Sequence, residues 1–146
     1  INFSKYAVLN MLNTKYVVYG EEVNNVIPNT SANGPAWFVR EVELVNSPNE
    51  ELKKLREIDT RVKAVVDQSK NKLATTSLSF DSLATVLLAE FKPSYVRYQS
   101  QSTQNALAVF SEIYYPKGWK AFIDGKECMF YNDHSTIHSW IFKVGS

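Results

Sequence analysis

The chain has 146 residues, 45% hydrophobic, 13% aromatic and 21% charged, the make-up of one globular domain or two very small ones and not of a disordered polypeptide. With 16 Lys plus Arg against 15 Asp plus Glu, its net charge of +1 excludes a uniform field aimed at nucleic acid or an anionic membrane. A single Cys excludes an intrachain disulfide framework, five scattered Gly exclude a glycine-rich phosphate loop, and the most apolar run, Leu83 to Ala89, falls far short of the ~20 residues a membrane span needs.

The chain opens at Ile1 with neither Met nor a basic and apolar leader, and is expected to be a piece of a longer polypeptide. Tyr6, Leu9 and Met11 or Leu12 recur near helical spacing behind Ser4 as an N-cap, which predicts a helix over 4–13. Residues 14–19 are β-branched and aromatic, a strand closed by Gly20. The Asn, Pro and Gly of 21–35 predict a long loop, and 36–45 a single strand with Trp37 and Val39 on one face.

Ser47-Pro48-Asn49-Glu50 combines an N-cap Ser, a Pro at the first helical position and a Glu at the capping-box position, predicting a helix over 48–58. Leu52, Leu55 and Ile58 share one side, and Glu50–Lys54 and Lys53–Glu57 are spaced as outer i,i+4 pairs. Residues 62–67 read as the next strand and 68–76 as a polar connection. The composition then shifts: 73–112 carry only Asp81, Glu90, Lys92, Arg97 and Glu112 as charges. Strands over 84–91, 95–102, 106–114 and 119–124 are separated by short turns, which predicts an antiparallel meander. Asp124-Gly125 is the strongest hairpin signal, and 126–131 should pair back on 119–124.

The fold class that follows is α+β, an antiparallel β-sandwich-like half over 80–146 packed with an α/β portion over 1–79. Tyr16, Val18, Trp37, Val66, Leu87, Leu107, Val109, Trp119 and Ile123 are its expected core.

Signals for chemistry are sparse. Cys128, His134 and His138 have a metal-like spacing but no evident fourth ligand, so no metal and no cofactor is expected. Asp59, Asp67, Asp81, Asp124 and Asp133 each sit beside a turn residue or helix end, where capping explains them better than acid–base catalysis. With no G-x-S-x-G elbow, no catalytic residue is assigned. Trp37, Trp119, Tyr114 and Tyr115 offer flat faces for sugar stacking, against which stands core packing; Tyr115, Trp119 and Trp37 are the candidate glycan contacts. Asp81-Ser82-Leu83 resembles the acceptor triplet of bacterial periplasmic O-glycosylation, an Asp followed by Ser or Thr and an aliphatic residue.

Two stretches carry a family resemblance. Leu9 to Val18, LNMLNTKYVV, and Ala108 to Glu127, AVFSEIYYPKGWKAFIDGKE, resemble segments in the C-terminal region of YfhO-family bacterial membrane proteins, and Trp37-Phe38-Val39 with Asn49-Glu50-Glu51 is similar to the segment between. The resemblance covers most of residues 8–127. It implies a multi-pass, C-type glycosyltransferase-like parent using lipid-linked sugars, with this region as its extracytoplasmic domain at the cell membrane. The implied partners are the membrane-embedded portion of the same polypeptide and envelope glycan, with no nucleic acid. Catalytic carboxylates of such enzymes are expected between membrane helices, so none carries over. After Glu127 the chain departs from the family's Pro-Ala-Gly ending, so that either its end is divergent or the sandwich lacks its last hairpin.

Overall fold

The computed structural model describes residues 2–69, 79–112, 118–128, 131–132 and 140–144. After a 3-10 turn at Phe3–Lys5, α1 spans Ala7–Met11, with Tyr6 at its N-cap and no side-chain cap bond. The helix is thus shorter than the 4–13 expected. Its C-terminus forms a Schellman pattern: Asn13 takes φ +54°, its N–H donates to Asn10 O at 3.1 Å, and Thr14 N–H donates to Leu9 O at 3.0 Å.

An antiparallel ribbon follows, β1 (Tyr16–Val18) with β2 (Val26–Pro28). β2 lies inside the segment read as loop, because its Val-Ile-Pro is surrounded by turn formers that dominate the local pattern. The ribbon corrects a second expectation. Tyr16 and Val18 are 65% and 66% exposed, since alternation alone does not reveal which face of an isolated ribbon has something packed on it.

The strand expected over 36–45 is two strands, β3 (Ala36–Val39) and β4 (Glu41–Val45), joined by a bend at Arg40. Val62 O anchors the bend by accepting from Arg40 N at 2.8 Å and Glu41 N at 3.2 Å. β4 then runs parallel to β5 (Lys63–Asp67), with α2 (Pro48–Leu55) as the crossover, so residues 41–67 form a βαβ unit. The α2 cap is as its sequence requires: Ser47 Oγ accepts from Glu50 N–H at 3.3 Å, and Glu50 turns back to accept from Asn46 N–H at 2.9 Å. With Glu50 so engaged, Lys54 reaches Glu43 on β4 at 2.8 Å, and Glu57 at 3.9 Å, in place of the expected Glu50 pair.

The second half gives β6 (Thr85–Lys92), β7 (Tyr95–Gln101), β8 (Ala106–Phe110), β9 (Ala121–Ile123), β10 (Lys126–Cys128), β11 (Tyr131–Asn132) and β12 (Trp140–Val144). β6 and β7 form a hairpin whose register slips at Ala89, and β9 and β10 form the Asp124-Gly125 hairpin, with φ +50° and +77° at the turn. The expected meander stops there. β8 pairs with β3 on one side and β12 on the other, giving a four-stranded antiparallel sheet in the order β11-β12-β8-β3. Residues 131–132 and 140–144 therefore supply two strands of the central sheet.

All five residues of β8 are buried, and its two faces organise the core. Leu107 and Val109, with Trp37 and Val39 of β3, meet Val42, Leu44, Ala64 and Val66 of the βαβ unit. The far side of that unit closes on Val45, Val65, Leu55 and Met11. On the other face of the central sheet, Ala108 and Phe110 lie under Val86, Tyr98, Ala121 and Trp119. Burying Leu107, Val109 and Phe110 contributes about 1.5–3 kcal/mol each. The class is α+β, with a core built jointly by strands from both halves of the chain. Val66, Leu107 and Val109 are buried as expected; Leu87 is 65% exposed on the outer side of its hairpin and Ile123, at the end of β9, is 38% exposed.

Candidate functional site

The two tryptophans singled out by their sequence context stand on opposite faces of the central sheet. Trp37 is the cross-strand neighbour of Val109 and packs with the βαβ unit, while Phe38 opposes Ala108 on the other face, where Trp119 packs. They do not form one stacking surface. Trp119 precedes β9 instead of starting a strand at 119, and is half-buried over Ala108, Phe110 and Ala121. Tyr114, Tyr115, Pro116, Asp133, His134 and His138 lie outside the described residues, so neither the Tyr115 contact nor the metal-like triplet is placed. The backbone of Cys128 pairs with Ala121 in the last hairpin.

Trp37 belongs to a polar network that sequence reasoning missed. Its indole N–H donates to Thr60 O at 2.8 Å, and Thr60 Oγ1 accepts from the Asn33 amide at 2.9 Å. Asn33 N–H donates to Asn10 O at 2.9 Å. The Asn10 side-chain amide donates to Phe3 O at 2.8 Å and its Oδ1 accepts from Asn29 at 2.9 Å. Asn29 also donates to Thr14 O at 2.8 Å and accepts from Ser31 N–H at 3.0 Å. Asn10, Asn29 and Thr60 are buried, so every bond here replaces one to water and fixes the 29–35 segment against α1 and the 59–62 turn. Read one at a time, these Asn are turn formers; their convergence follows from tertiary packing.

The carboxylates do structural work. Asp59 accepts from Arg61 N–H at 2.9 Å, Asp67 from Ser69 N–H at 2.8 Å, and Asp124 sits in the hairpin turn, as their positions suggested. Glu41 pairs with Lys63, Glu90 with Lys92 and Arg97, and Glu127 with Lys120. Burial first, and then the Glu112 carboxylate near its hydroxyl, push Tyr98 well above the ordinary phenol range.

Asp81 accepts three hydrogen bonds. It accepts from Leu83 N–H at 2.9 Å and, with its other oxygen, from both the Thr103 N–H and hydroxyl at 2.8 Å. The Thr103 backbone N–H, then Leu83 N–H, then the Thr103 hydroxyl hold its carboxyl below the usual range. Between the turn it caps and β6, Ser82 and Leu83 face solvent, Leu83 at 81% exposure.

Accessible aromatic rings lie elsewhere than on Trp37 and Trp119. Tyr16 and Tyr19 stand out from the β1–β2 ribbon, Phe91 and Tyr95 from the β6–β7 hairpin, and Phe122 from β9. On the ribbon, Tyr16 opposite Pro28 and Val18 opposite Val26 make one exposed apolar face. No helix among the described residues is long and apolar enough to cross a membrane, and no three His, Cys, Asp or Glu side chains gather there as a metal site would need. No protein-family profile, no curated protein and no solved structure matches the chain.

Proposed function

We propose that this chain is a non-catalytic, extracytoplasmic accessory domain of a multi-pass membrane glycosyltransferase-like protein acting in cell-envelope glycan or lipid-linked sugar metabolism. The observation that carries the reading is the stretch Ala108 to Glu127, with its Tyr-Tyr-Pro-Lys-Gly-Trp and Ile-Asp-Gly-Lys-Glu runs and its resemblance to the YfhO family. Two structural facts support an interaction role over turnover. Asp59, Asp67, Asp81, Glu41, Glu90 and Glu127 are committed to turns and ion pairs, and Trp37 and Trp119 to packing. In this reading the β6–β7 hairpin is the partial second sheet of a sandwich over the face of Ala108 and Phe110, and the chain serves its membrane-embedded portion by shaping acceptor access.

The alternative is a free-standing carbohydrate-binding module of the cell envelope. The exposed rings of Tyr16 and Tyr19 favour it, since a flat aromatic face open to water is what a sugar's apolar face needs. The coding sequence upstream of Ile1 separates the two. About a dozen membrane spans in the same reading frame support the accessory domain, and a signal peptide directly before Ile1 supports the module. In an envelope-topology assay, an accessory domain is reached by impermeant reagents from outside; labelling only after the cytoplasmic membrane is opened overturns the proposal.

A further inference from the structure

The chain contains two Asp-Ser/Thr pairs, and the same local turn presents them oppositely. In Asp59-Thr60-Arg61 the carboxylate accepts from the N–H two residues on at 2.9 Å, and in Asp81-Ser82-Leu83 it does so at 2.9 Å as well. Thr60 is 4% exposed, its hydroxyl taken by Asn33 and its carbonyl by Trp37, and a cationic residue follows it. Ser82 is exposed, and the aliphatic residue after it, Leu83, is 81% exposed and belongs to no apolar cluster among the described residues. The turn is anchored at the surface: one Asp81 oxygen accepts from Leu83 N–H and the other from the Thr103 N–H and hydroxyl, Ala84 N–H donates to Asp81 O at 3.2 Å, and Ser79 N–H donates to Asn105 O at 2.9 Å. A leucine 81% exposed buries little apolar surface in this fold, whereas an enzyme reading Asp, hydroxyl and aliphatic side chain together would find all three on one anchored turn.

We infer that Ser82 is a site of O-glycosylation on the folded domain, its donor a sugar carried on a lipid diphosphate. The inference rests on the extracytoplasmic placement proposed above, where that donor class is used. In the transfer, Ser82 Oγ attacks the anomeric carbon. The new C–O bond replaces the one to the diphosphate, which leaves with its electron pair, and the hydroxyl proton passes to a base of the transferase. The domain is then the acceptor, and Thr60 is a matched site within the same chain that stays bare.

The test is mass spectrometry on the full-length protein from its native host. Lys92 precedes Pro93, so trypsin releases one peptide, 73–97, that contains Ser82 and not Thr60. The expected result is that this peptide carries at least one sugar on Ser82, that Ser82→Ala abolishes it, and that Leu83→Gln, which adds no tryptic site, strongly reduces it with Ser82 intact. Thermal melts of both variants, alike to the parent, show that the fold is kept. A peptide wholly at its unmodified mass, or sugar on other residues only, overturns the inference. Impermeant labelling on the same cells keeps the two readings apart: a domain outside the membrane with a bare Ser82 sinks this inference alone, and a domain inside it sinks the accessory-domain reading whatever the peptide weighs.

Discussion

Trp37 donates its indole N–H to the carbonyl of Thr60 at 2.8 Å, tying β3 of the central sheet to the turn that leads into β5. The bond joins the two layers at the point where their apolar cluster meets the buried asparagine network, so Trp37 serves both packing and polar satisfaction.

Replacing Trp37 by Phe keeps most of the ring's volume and removes the donor, leaving Thr60 O short of a partner; the expected cost is about 1–3 kcal/mol. Trp37→Ala adds a cavity between the layers and is expected to cost about 3–5 kcal/mol. Urea denaturation of the two variants separates the contributions. A Trp37→Phe variant as stable as the parent would mean that the hydrogen bond carries nothing, and equal losses in the two variants that the ring's packing does.

The buried amides should act as a unit. Asn29→Ala removes two donors and one acceptor and orphans Asn10 Oδ1, so a loss of about 1–3 kcal/mol is expected, with the Asn10→Ala/Asn29→Ala double variant losing clearly less than the sum of the singles. A double-mutant cycle by chemical denaturation checks it; strict additivity would dissolve the network into independent turns.

What the sequence discloses and what it hides follow from how local each determinant is. The α2 cap and the Asp124-Gly125 turn are legible because a few consecutive residues fix them. β8 is legible as a strand, but its partners β3 and β12 lie far away in sequence, and the short turns around it point to the wrong neighbours. That pairing decides the faces. Trp37 and Trp119 become residues of opposite sides only once Trp37 is registered against Val109. The Asn network and the exposure of Tyr16, Val18 and Leu87 are likewise invisible to periodicity, because they depend on what packs above a strand and not on the strand itself.

Asp81 gives the acid limb of the stability profile an assignable component. Its carboxyl is lowered in the folded chain, so its contribution is fully present above the unfolded carboxylate value near pH 4 and is lost as pH falls through the folded value. Asp81→Asn should therefore destabilise the domain at pH 7 and flatten the decline below about pH 4. Thermal melts across pH 2–7 read the difference; parallel profiles for parent and variant would remove Asp81 from the account.

Asn13 offers a change in the opposite direction. It occupies the left-handed position that ends α1, at φ +54°, where a Cβ is costly and Gly is the preferred residue. Its Oδ1 is buried with no hydrogen-bond partner among the described residues. Asn13→Gly relieves the backbone and removes the stranded acceptor while keeping the Asn13 N–H bond to Asn10 O, against the greater freedom that Gly gives the unfolded chain. Relief of about 1–2 kcal/mol of left-handed strain outweighs the roughly 0.5–1 kcal/mol entropic cost of Gly, so the net expectation is a stabilisation of at most about 1 kcal/mol. Asn13→Ala, which removes the acceptor but keeps the Cβ at positive φ, is the control and should not share the gain. If the two variants melt together, backbone strain at this cap contributes nothing; if both fall below the parent, the Asn13 amide is making a contact that the α1 terminus needs.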